Sequence, residues 1–159
     1  MDQPLFDLNL SRVTREHYIT GKAAINFPFP GVTTGGWHFM SYWDRESGVC
    51  KVSLAGIHFP ATTQFFGQKG ILDATQLLAD RGWPCVGREI WMADHFRATA
   101  DMVVRWALSD SVHCNVEIDE WFSDDQGRQR FLGLLGAARD RLCAVGKLER
   151  VDRWLEGQA

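Results

Sequence analysis

Residues 88–110, REIWMADHFRATADMVVRWALSD, form the longest periodic stretch of the chain. On a helical projection Ala93, Phe96, Ala100, Val103, Val104 and Ala107 share one face, and Trp91, His95, Met102 and Trp106 flank it. Between its charged ends, Asp94, Arg97, Asp101 and Arg105 make a narrow stripe on the opposite face, spaced for i,i+3 and i,i+4 pairing. A helix that is apolar around most of its circumference must be largely buried. This segment is therefore expected to be the spine of the fold, with the charged stripe on the side away from the apolar face.

The N-terminal side of the spine reads mainly as strands. WHFMSYW (37–43) is rich in aromatics, VCKVSLA (49–55) is rich in β-branched residues, and DRESG between them has the charge and glycine of a hairpin loop. A short strand is expected upstream, near 18–20 or 23–27. Residues 25–36, INFPFPGVTTGG, read as an extended loop or edge segment, and 56–70 as a loop or strand end, with Pro60 blocking a helix from continuing through it. ILDATQLLADRGW (71–83) has helical spacing and a glycine, Gly82, at its C-cap.

The C-terminal side reads mainly as helices. HCNVEIDEWF (113–122) alternates, which predicts a half-buried strand or an extended connector. Ser123 with Gln126 predicts a capped helix start, and the helix is expected to continue to Gly146. A last short helix places Leu148, Val151, Trp154 and Leu155 on one face. The fold class is thus α+β: a small antiparallel sheet from the N-terminal half, containing the hairpin 37–55, packed against three to four helices. The 159 residues fit one domain, 1–35 being an irregular N-terminal segment. With 45% apolar residues, including seven Trp and ten Phe, its core needs no staple.

Charge narrows the function. A net charge of −3 argues against a nucleic-acid binder. GWHFMSY (36–42) begins Gly-aromatic and ends aromatic, as a ribonucleoprotein signature does. It has Gly35 where that signature has a base and His38 where it has a small residue. Gly21-Lys22 is followed by alanine and Gly35-Gly36 by a strand, so neither makes a phosphate loop. The four cysteines form no C-x-x-C pair, the first residues lack the pattern of a secretory leader, and no apolar run is long enough to span a membrane. A cytoplasmic protein is the expectation. No H-x-x-x-H occurs, and neither a metal nor a cofactor is expected.

Two functional readings remain. The first is a protein-binding or regulatory protein, of the antitoxin, inhibitor or accessory-factor kind, with Trp37, Phe39, Trp43 and Arg45 as partner-binding anchors. The arginines of the two C-terminal helices interleave with acids and read as a salt-bridged face, to which a protein partner also fits best. The tryptophan content is compatible with a homodimer. The alternative is an enzyme whose site is assembled from distant residues, with His95, His113, Cys114, Glu117 and Glu120 as its raw material. A nucleic-acid-binding regulator is the least supported.

Overall fold

The computed structural model describes residues 10, 12–31, 43, 52–83, 85 and 87–158. It shows an α+β fold with eight helices and one four-stranded sheet among those residues. In chain order these are β1 (Ile19–Thr20), α1 (Lys22–Ile25), β2 (Ser53–Leu54), α2 (Thr63–Phe66), β3 (Ile71–Asp73) and α3 (Thr75–Asp80). Then come β4 (Trp91–Ala93), α4 (His95–Leu108), α5 (Ile118–Trp121), α6 (Asp125–Gly136), α7 (Arg139–Ala144) and α8 (Leu148–Gly157).

The strand order is β2-β1-β4-β3. The sheet is mixed rather than purely antiparallel: β1 pairs with β2 and β3 with β4 in antiparallel sense, while β1 and β4 run parallel, Ile19 opposite Met92. Of the hairpin expected over 37–55, the first arm up to 42 and the turn lie outside the described residues. The second arm supplies β2, whose partner is β1.

Two strands lie where helical spacing predicts helix. Ile71–Asp73 fits a helical face by spacing, but the Asp73 carboxylate accepts from the Thr75 N–H and hydroxyl, ending the strand and starting α3 one turn later. Trp91–Ala93 precedes Asp94, whose extended backbone and side-chain bond to the Arg97 N–H (2.8 Å) make it the N-cap of α4. The helix cannot extend upstream of that cap. Similarly, the cap of α6 is Asp124, accepting from Gly127 N–H, and not Ser123. The long helix expected to reach Gly146 breaks at Ala137–Ala138 into α6 and α7. Residues 113–117 are an extended connector. Cys114, Val116 and Ile118 turn inward and His113, Asn115 and Glu117 outward, as the alternation predicts.

The spine is where the sequence places it. α4 packs against α1, β1, β4, α6 and α8, and most of its residues are buried. Its start is joined to α6 by a stack of rings, Phe96 on Phe122 (5.3 Å) and Phe122 on Phe131 (5.0 Å).

Of the charged stripe only Arg105 is exposed; Asp94, Arg97 and Asp101 do not face solvent. Arg97 and Asp101 are fully buried. Arg97 Nε donates to Asp101 Oδ1 (3.1 Å), Nη1 to the carbonyls of Gly67 and Lys69 (2.8 Å each), and Nη2 to Thr62 Oγ1 (3.1 Å). Asp101 Oδ2 accepts from Tyr18 (2.6 Å) and Thr20 (2.7 Å), and its Oδ1 also accepts from Thr62 (2.5 Å). One ion pair thus fastens the strand β1, the start of α2 and the 67–70 loop to the spine. Gly70 lets the loop come this close. Its φ is 76°, and a Cβ there would lie 2.7 Å from Arg97 Cβ. Spacing alone cannot reveal this burial, because the partners are as far as 83 residues away in sequence.

The network has a pH signature. Burial, and then the Asp101 charge, raise the Tyr18 hydroxyl far above its ordinary pKa of 10.0. A group whose pKa is higher folded than unfolded stabilises the fold fully below the unfolded value and loses that contribution as pH rises past it. The urea midpoint is therefore expected to fall above pH ~10. In Tyr18→Phe, less stable at neutral pH, that alkaline fall should be shallower. Equal slopes would contradict this role.

Candidate functional site

The C-terminal half folds around an open cleft of about 480 Å³. Its walls are the last turn of α4 with Trp106, the connector from Val112 to Glu117, and one side of α8 with Arg150, Arg153 and Trp154. The amphipathic spacing of α8 builds the third wall. Val151 is buried against the body, and Trp154 and Leu155, half-buried, continue that face toward the cleft.

Arg150 organises the site. Its guanidinium lies over the Trp106 ring, 4.2 Å from the centroid. Nη2 donates to the carbonyl of Trp106 (3.2 Å) and to that of Ser111. A cation placed on the last carbonyls of α4 also opposes the negative end of the helix dipole. The same side chain therefore closes α4, holds the connector and presents its remaining edge to the cleft region. The far end of α8 is tied down separately, Gln158 Oε1 accepting from the Ile118 N–H at 2.9 Å.

Three hydrogen-bond donors here are buried without a partner among the described residues: Trp106 Nε1, Trp154 Nε1 and Arg150 Nε. The rings of Trp106 and Trp154 are 6.4 Å apart, so the three belong to one cluster. All are donors only, with no capacity to accept. All three atoms are closed off from solvent, inside the wall rather than on its open surface. Val112, 91% exposed, stands at the rim.

The structure distributes the sequence-predicted residues unevenly. His113, Cys114 and Glu117 all line the cleft. Glu120 is on α5 beside Glu117, whose charge and hydrogen bond hold the Glu120 carboxyl above its ordinary range. His95 does not join them. It begins α4 and packs at a tilt against Phe122 at 4.9 Å, eleven residues from Trp106, which is about 16 Å along a helix axis. Trp37, Phe39 and Arg45 lie outside the described residues. Trp43 is fully buried, its indole donating to Ala23 O at 2.7 Å, so it is a core residue and not an exposed anchor.

Cys114 is buried on the wall of the cleft. Burial pushes its thiol up from the ordinary value, with only partial relief from a Val116 backbone bond and from Arg150. Iodoacetamide at pH 8 is expected to label the exposed Cys143 at least about tenfold faster than Cys114, read by peptide mass spectrometry. Equal rates would restore Cys114 as a reactive group. Among the described residues no three metal-ligating side chains converge, and no helix is long and apolar enough to cross a membrane.

Sequence reasoning reached the alternation of the connector and the tryptophan and arginines of the last helix, but not their meeting. Trp106 and Arg150 are 44 residues apart, and no local pattern pairs them. Compared with known protein families, curated proteins and solved structures, the chain matches none. The site is read from its own residues.

Proposed function

We propose that this protein acts by binding another protein, and that the cleft between α4, the connector and α8 is where it does so. The observation that carries this reading is the composition of the cleft. Two half-buried tryptophans and two arginines, the residue types that most often anchor interfaces, stand beside an isolated exposed valine. The cleft is open rather than enclosed, which suits a segment of a partner. The role is then regulatory, through occlusion or stabilisation of that partner.

The experiment is native mass spectrometry on the chain isolated gently from its own cells, as wild type and as Val112→Asp/Arg153→Glu. Both positions are exposed, so the variant should keep its circular dichroism spectrum. A stoichiometric protein partner present with the wild type and lost with the variant supports the reading. A partner retained by the variant overturns it.

A catalytic reading has one observation in its favour, the presence of His113 and Glu117 on the same cleft. Against it, burial raises the neighbouring Cys114 thiol above its ordinary range, the opposite of what activates a nucleophile. Iodoacetamide labelling of Cys114 against Cys143 is its test.

A further inference from the structure

We infer that His58 is an acid-released cap on the outer edge of the sheet: its neutral ring takes the Leu54 N–H, and its protonated ring releases it. The inference does not depend on what the cleft binds.

The argument starts from the edge. β2 is the outermost strand of the order β2-β1-β4-β3 among the described residues. The Ala55 N–H donates across to Tyr18 O, just before β1, at 3.0 Å. Neighbouring N–H groups along a strand point to opposite sides, so the Leu54 N–H points away from β1. An unpaired edge donor is where a sheet takes on further strands, and proteins blunt such edges. Here the chain turns back after β2, the N–H groups of His58 and Phe59 both donating to Leu54 O (2.9 and 3.2 Å). The turn carries the His58 ring to the edge, and the Leu54 N–H donates to His58 Nδ1 at 3.0 Å.

That bond fixes the chemistry of the ring. An Nδ1 that accepts carries no proton, so the ring is the neutral tautomer with its hydrogen on Nε2. Protonation puts an N–H on both nitrogens and leaves no acceptor, so two donors then face each other and the ring leaves the edge. His17, packed against the same turn, makes the opposite choice. Its Nδ1 lies 2.9 Å from Ala55 O, and a carbonyl only accepts, so Nδ1 carries the proton there. Protonating His17 leaves that bond in place. Among the described residues Arg105 also rests on the turn, over the Phe59 ring at 4.4 Å, and an arginine keeps its charge throughout the range in which histidine titrates. Acid therefore acts on the His58 bond and spares the His17 bond.

The test is ¹H–¹⁵N spectroscopy of the full chain at about pH 8 and pH 5, the span over which histidine changes charge. At pH 8 His58 Nδ1 should appear without a proton and His17 Nδ1 with one. Protection of the Leu54 amide, normalised to its intrinsic exchange rate, should fall about tenfold at pH 5, as the loss of one hydrogen bond allows, while the Ala55 amide keeps its protection. His58→Asn puts a carbonyl oxygen where Nδ1 lies and does not titrate, so Leu54 should stay protected at both pH values. His58→Ala should leave Leu54 unprotected at both. His58 is exposed, so both variants should fold. A proton on His58 Nδ1 at pH 8, or Leu54 protection that does not change between pH 8 and pH 5, would overturn the inference. So would an equal fall in His58→Asn, which would assign the acid response to another group.

Discussion

Asp101→Ala is expected to destabilise the chain by about 3–5 kcal/mol, the cost typical of removing one partner from a buried ion pair. The magnitude reflects the groups left behind. Arg97 keeps its bonds to two loop carbonyls and Thr62, but its charge is left uncompensated in a fully buried position. Tyr18 and Thr20 lose their carboxylate acceptor at the same time, each a buried hydroxyl on or beside β1. Urea denaturation would read the loss. Arg97→Met should cost a similar amount, because it strands the Asp101 charge and the carbonyls of Gly67 and Lys69. The double variant should cost clearly less than the sum of the two, the mark of a directly coupled pair. A loss under about 1 kcal/mol for Asp101→Ala would mean that the pair is solvated and that α4 carries its charged stripe outward.

Trp43→Ala is expected to cost a similarly large amount, about 3–5 kcal/mol, by opening a cavity in the core. The ring packs edge-on against Phe27 at 5.0 Å and against Trp83 at 6.3 Å. Its indole N–H is spent on Ala23 O, and its own carbonyl accepts from the Trp83 indole at 3.1 Å. Removing it loosens two other aromatic side chains and the end of α1. Trp43→Phe, which keeps a ring but not the N–H, should cost less. The result separates two roles that sequence alone leaves open for this residue. A surface anchor would lose its partner at little cost in stability. A core residue loses stability, and binding is lost only to the extent that the fold is lost.

The features legible in the sequence are those the chain encodes locally. The spine is readable because apolar residues repeat over four turns, and α8 because Leu148, Val151, Trp154 and Leu155 recur on one face. The connector is readable because Cys114, Val116 and Ile118 alternate with polar residues. The short strands Ile71–Asp73 and Trp91–Ala93 are not, since so short a run before a helix satisfies either period. The interior of the charged stripe is not legible for a different reason. A sequence shows that Arg97 and Asp101 can pair, but whether water or distant hydroxyls surround them depends on β1 and on the 62–70 segment. The cleft falls between these cases. Its parts are visible as an aromatic, an arginine pair and an alternating strand. Its geometry depends on Arg150 reaching across to the end of α4, a contact that no spacing predicts.

Photocrosslinking in living cells would show whether a partner protein sits on the cleft. A benzophenone side chain is placed at Val112, on the cleft rim, and in a separate chain at Leu132, which is 43% exposed on α6. A discrete crosslinked species with one partner protein is expected from position 112 and none from position 132. Crosslinks of equal yield from both positions, or a partner captured only from position 132, would contradict it.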